Sequence, residues 1–157
     1  MTTLNSDVRA VILLAVAVSG MGQGLANAQQ CKVAVTQPEQ DARVDFRVMV
    51  RGTVTLPAQS YLWVFVQVRG QNDYYPQGGG AAQVIDGEWE VLARLGDLKE
   101  DVGLQFVITA AVVDDATHRL LVKHVQDASS SGKWALHALP DVKQGCGIRR
   151  VIVTRTL

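Results

Sequence analysis

The chain has 157 residues, 48% of them hydrophobic, which suits a single globular domain with its own core and is too apolar for a disordered chain. Fifteen basic residues balance fifteen acidic ones. Without a cationic surplus there is no electrostatic case for nucleic acid, because phosphate binding needs Lys and Arg concentrated on one face.

Residues 1–28 read as a cleavable signal peptide. Arg9 precedes an apolar run over 10–18, Ser19, Gly20, Gly22 and Gly24 then interrupt helix, and Ala26-Asn27-Ala28 supplies the small-x-small pattern of a cleavage site. The run is about half of the ~20 residues that a membrane-spanning helix needs. Cleavage is expected after Ala28, leaving residues 29–157 as a single domain with no stable membrane span; an uncleaved anchor or a buried first helix is the competing reading. Asp7 and Arg9 leave together, so the remainder stays neutral. Gln29 and Gln30 stand before Cys31 where a lipidated cysteine would need small residues, so no lipid anchor is expected. The only two cysteines, Cys31 and Cys146, are expected to pair in an oxidising compartment, periplasmic or extracellular. A redox or catalytic thiol is the alternative, but there is no C-x-x-C spacing.

Strand patterns follow. Residues 32–36 form a short edge candidate that stops at Pro38. From Val44 the chain alternates: Val44, Phe46, Val48 and Val50 take one face and Arg43, Asp45, Arg47 and Arg51 the other. The inward parity continues through Gly52, Val54 and Leu56 up to Pro57, predicting one long half-buried strand. In residues 61–69 both parities are apolar, with Leu62, Val64, Val66 and Val68 on one side and Tyr61, Trp63 and Phe65 on the other. Such a strand is central, or another element covers its second face. Residues 71–80 are rich in turn formers and read as a long loop.

Asp86-Gly87 lies between Gln83-Val84-Ile85 and Glu88-Trp89-Glu90-Val91, the pattern of a two-residue hairpin. Leu104, Phe106, Ile108, Ala110 and Val112 mark the next strand, ended by Asp114-Asp115. The period then lengthens. Leu120, Leu121, His124, Val125 and Ala128 recur at helical spacing, predicting a helix over roughly 116–129, capped by Asp115 or Thr117 and closed by Ser129-Ser130-Ser131-Gly132. Residues 150–156, with Val151 and Val153 on one face, form the last strand. About seven short strands separated by turn signals indicate a mainly β fold, a two-sheet antiparallel sandwich with one short helix inserted before the last strand.

Gly52-Thr53-Val54, Leu62-Trp63-Val64-Phe65-Val66, Tyr74-Tyr75-Pro76-Gln77 and Asp86-Gly87-Glu88-Trp89 together resemble the bacterial immunoglobulin-like sandwich modules of exported proteins over most of residues 35–113. The resemblance implies an immunoglobulin-like fold and a binding or structural role. The inserted helix departs from the plain seven-strand pattern. The cysteines differ as well, lying near the chain ends rather than on central strands.

The chemistry-bearing residues do not compose a catalytic motif. His118 and His124 are six apart and do not share a helical face, so with Asp114 and Asp115 they make only a conceivable metal site. There is no G-x-S-x-G around a serine, Ser129-Ser130-Ser131 reads as a loop, Glu88 and Glu90 read as a solvated strand face, and Gly78-Gly79-Gly80 lacks the Lys and helix of a phosphate loop. The chain reads as a non-enzyme that needs no cofactor and no metal. Of the aromatic residues Tyr61, Trp63, Tyr74, Tyr75, Trp89 and Trp134, the expected binding set is Tyr74, Tyr75, Trp63 and Trp134. Ring faces with polar edges suit sugars and peptides. Trp89 is assigned to the core by its alternation with Val91. The expected partner is a protein or an envelope glycan. A carbohydrate-binding module and a small metal-dependent hydrolase are the alternatives.

Overall fold

Alternating polarity sorts the strands into two layers. The computed structural model of the chain describes residues 30–97 and 99–156. The expected signal peptide, residues 1–28, lies outside the described residues. Nine strands and one helix are present among them: β1 (Lys32–Gln37), β2 (Ala42–Val44), β3 (Arg47–Thr55), β4 (Ser60–Val68), β5 (Tyr75–Pro76), β6 (Val84–Ile85), β7 (Glu88–Arg94), β8 (Gln105–Asp114), α1 (Asp115–Ser131) and β9 (Arg149–Arg155).

Sheet 1 has the order β1-β3-β7-β6 and sheet 2 the order β2-β9-β8-β4-β5. All pairings are antiparallel except β2 with β9, which is parallel. The fold is mainly β, and the sheets pack in a sandwich-like arrangement. Its interior is built from one parity of each strand: Val50 and Val54 of β3 and Val91 and Ala93 of β7 meet Leu62, Val64, Ile108 and Val153 of sheet 2, all of them buried. Trp89 belongs to this core at 4% exposure.

The long strand expected from Val44 to Leu56 is two strands. The chain leaves sheet 2 after β2, passes Asp45 and Phe46, and enters sheet 1 as β3. Parity alone misses this because Val44 and Val48 both contact the same core from the two layers. Phe46 marks the crossing: the guanidinium carbons of Arg94 and Arg155 lie 4.8 and 4.9 Å from its ring centroid, and its carbonyl accepts from Leu95 N at 2.9 Å. Arg155 is 1% exposed and donates to the carbonyls of Leu95, at 3.0 Å, and Asp97. A buried cation thus fixes the start of the connection from β7 to β8.

The hairpin expected at Asp86-Gly87 is present. Both residues have positive φ, 52° and 80°, as a two-residue turn between twisted strands requires. Cys31 and Cys146 form the expected disulfide, which ties the residue before β1 to the segment before β9 across 115 positions. In the chain-entropy picture a ring of this size stabilises the fold by about 4–5 kcal/mol.

The second apolar parity of β4 faces α1. Trp63 and Phe65 of β4, Ala111 and Val113 of β8 and Leu121 of α1 make a separate buried cluster outside sheet 2. The helix cap is Asp114, not Asp115 or Thr117: its Oδ1 accepts from Thr117 N at 2.8 Å. Gly132 ends α1, with φ 74° and its N–H bonded to Ala128 O. Leu120, expected on the packed face, is 71% exposed, whereas Leu121 and Ala128 are buried.

Candidate functional site

The loop expected over residues 71–80 contains β5, which pairs with the outer edge of β4 in the register Val66 with Tyr75 and Phe65 with Pro76. Adjacent residues of an extended chain point to opposite sides. Tyr75 therefore shares the side of Val66, and Tyr74 takes the other side, where it packs on the Trp63 cluster. The backbone of Tyr74 exchanges two 2.8 Å hydrogen bonds with Leu136, which holds the segment following α1 beside β5. Two further contacts fix that segment: His124 Nε2 lies 3.1 Å from Trp134 O, and His137 Nδ1 lies 2.8 Å from Asp73 Oδ1.

These constraints leave an open cleft of about 910 Å³ at one end of the sandwich. Val66 and Val68 of β4 and Phe106 of β8 belong to its lining, Val66 and Phe106 being almost wholly buried. Tyr75 and Pro76 line one wall, Lys133, Trp134 and His137 another, and Arg94, Asp97 and Asp101 a third. Such a volume falls within the ~300–1,000 Å³ typical of small-molecule sites.

The third wall is linked by hydrogen bonds among its own residues. Arg94 donates to Asp97 Oδ1 at 3.1 Å and to Gly96 O at 3.3 Å, and Asp101 Oδ2 accepts from Asp97 N at 2.7 Å. Gly96 has φ +68°, which favours glycine, and a Cβ there would lie 2.1 Å from the Asp101 carboxylate and push that side chain aside. Gln77, 8% exposed, joins the two sheets beside the cleft: its N donates to Val64 O and its Oε1 accepts from Arg94 N, both at 2.8 Å.

The four aromatics expected to form one binding set are therefore separated. Tyr75 and Trp134, the latter 39% exposed, line the cleft together. Tyr74 is half-buried behind it. Trp63 is 0% exposed and has no face for a ligand. Its indole is held from the helix: Nε1 donates to His118 Nδ1 at 3.2 Å, and His118 stacks on Tyr61 with centroids 3.7 Å apart. An indole nitrogen can only donate, so Nδ1 is the proton-free nitrogen of His118. Tyr61 hydroxyl donates to Asp115 at 3.4 Å, and Arg119 pairs with the same carboxylate.

Sequence reasoning missed Gln77, Arg94, Asp97, Asp101, Lys133 and His137. Only the turn-rich stretch at 71–80 hinted at a site, since the other walls come from distant parts of the chain. The remaining candidates stay dispersed. Glu90 pairs with Arg51 at 3.2 Å on the exposed face of sheet 1. Among the described residues no group of three or more His, Cys, Asp or Glu is placed to hold a metal ion, and no helix is long and apolar enough to cross a membrane. The Asp114 carboxyl is held below its ordinary value of 3.8, first by the Thr117 N–H and then by the Thr117 hydroxyl, which is a capping effect.

No family model matches the chain, and no curated protein is similar to it.

Proposed function

We propose that this chain is an exported, non-catalytic module that binds a component of the cell envelope, protein or glycan, in the cleft between Tyr75 and Trp134. One observation carries the reading: two aromatic side chains from distant segments line one open cleft together with charged side chains of both signs. Tyr and Trp are the residues that most often dominate binding energy, because a rigid ring removes much apolar area from water and its polar edge still hydrogen-bonds.

The signal-peptide pattern of residues 1–28 supports export, and the Cys31–Cys146 bond suits a periplasmic or extracellular life. Membership of the immunoglobulin-like sandwich modules is part of the same proposal. It is supported by the two-sheet arrangement and by the motifs on β3, β4 and the β6–β7 hairpin. Residues 29–157 would act as one domain. A metal-dependent hydrolase has no comparable support, since the histidines are each spent on structural contacts with Trp63, the Trp134 carbonyl and Asp73.

The test is retention of the purified protein on envelope material from the cells that make it. Tyr75→Ala and Trp134→Ala should each reduce retention about tenfold at unchanged melting temperature, the loss of one stacking contact. Undiminished retention in both variants removes the cleft as the contact surface.

A further inference from the structure

We infer that the ligand of the cleft is a neutral oligosaccharide, with Tyr75 and Trp134 as its stacking surfaces. The inference rests on the cleft being the contact surface, as proposed above, and adds the chemical class of what fills it.

The backbone around the cleft argues against an extended peptide. Peptides that join a sheet need a free strand edge with unpaired N–H and C=O groups. The β4 edge facing the cleft is occupied: β5 pairs with it, and beyond β5 the N–H groups of Gln77 and Ala82 bond to Val64 O and Leu62 O at 2.8 Å. The far side of β5 is closed as well. Tyr74 spends both backbone groups on Leu136, and Pro76 has no N–H to give. Recognition in the cleft falls largely to side chains, with the backbone of Gly96 and Gly132 also in its lining.

Those side chains suit hydroxyl groups. A sugar hydroxyl donates and accepts at once, and the lining offers both kinds of partner: the carboxylates of Asp97 and Asp101 accept, Lys133 donates, and the Gln71 amide does either. The rim carries both signs of charge, so an anionic ligand meets Asp97 and Asp101 and a cationic one meets Arg94 and Lys133. A neutral polyhydroxylated ligand meets neither penalty. The C–H faces of pyranose rings can lie against Tyr75 and Trp134, where their apolar area leaves water. A cleft of about 910 Å³ has room for more than one pyranose ring.

Chitotriose, cellotriose and maltotriose are the probes, read by calorimetry and by tryptophan fluorescence on the full chain. At least one should bind saturably, with affinity reduced about tenfold by Tyr75→Ala and by Trp134→Ala. Tyr75→Phe and Trp134→Phe keep a ring face and should hold most of the affinity, which separates lost stacking from lost folding. Leu92→Thr, on the opposite sheet, should bind as the parent does. No saturable response to any of the three, or binding indifferent to both alanine variants, overturns the inference. Envelope retention tells the two proposals apart. If it needs Tyr75 and Trp134 yet survives periodate oxidation of the glycans, the cleft is the contact surface and its ligand is not a saccharide. If it needs neither residue, both proposals fall.

Discussion

β4 and β8 are apolar on both faces, whereas β3 and β7 alternate, and the outer surfaces of the two sheets differ accordingly. Outside sheet 2, Trp63, Phe65, Ala111 and Val113 are buried under α1 and the segment that follows it. Outside sheet 1, no element among the described residues lies over Arg51 and Glu90, which pair in solvent, or over Met49 and Leu92, which oppose each other across β3 and β7 at 37% and 51% exposure. A strand with two apolar faces needs a partner on each, and the chain supplies the second one locally by turning into a helix at Asp114. The cleft is a consequence of that cover, because the same segment that returns from α1 brings Trp134 into the lining that Tyr75 shares.

The sharpest way to break this comparison is to remove the residue that joins the cover to the sheet. Trp63→Ala deletes a fully buried indole and should destabilise the fold by about 3–5 kcal/mol, read as a lower urea midpoint. It should also weaken any ligand of the cleft, since the cover positions Trp134. A loss no larger than that of an exposed residue would mean that α1 packs only loosely.

A finer cut separates the hydrogen bond beneath the helix from the packing. His118→Phe keeps a ring to stack on Tyr61 but takes away the acceptor of Trp63 Nε1. A buried donor left without a partner costs about 1–3 kcal/mol. Denaturation should show that loss, and the emission of Trp63 should shift. A variant as stable as the parent would show that the indole N–H finds water or another acceptor.

The helix start gives a smaller effect with a defined sign. The Asp114 carboxyl is held below 3.8 by Thr117, so the folded state prefers it ionised. Its contribution is complete above that value and fades as the pH falls through the lower folded value. Asp114→Asn keeps a capping oxygen without the titration. Whatever stability separates the two proteins at neutral pH should therefore shrink on acidification below pH 3.8, measured by denaturation at fixed pH values. A constant difference down to pH 2 or so would show that Asp114 does not act through its charge.

Much of this architecture is legible along the chain because it depends on neighbours in sequence. The double apolar parity at 61–68 announces a covered strand, Asp86-Gly87 announces a turn, and two lone cysteines announce their bond. The features that escaped depend on which strand lies beside which. Val44 and Val48 keep one parity across a change of sheet, so the crossing at Phe46 leaves no trace in the pattern. Tyr74 and Tyr75 look equivalent in a turn-rich loop, and only the register of β5 on β4 sends one to the core and the other to the cleft. Trp63 stands in the expected binding set although the parity of its strand announces cover, because nothing local says that a helix 55 positions away will supply its acceptor. The walls of the cleft meet only in three dimensions.

The exposed face of sheet 1 should register the least. Leu92 stands half in solvent, and its only cross-strand apolar neighbour is Met49. Leu92→Thr introduces a β-branched side chain that suits a strand and removes apolar surface that water already wets. Stability should change by no more than about 0.5 kcal/mol in either direction, as for surface substitutions away from packed contacts. The parent and the variant should also elute alike in size-exclusion chromatography at high concentration. A large change in either measurement would show that something covers sheet 1 in solution, a second copy of this chain being the nearest candidate. The contrast between the covered and the bare sheet would then belong to the isolated chain and not to the working protein.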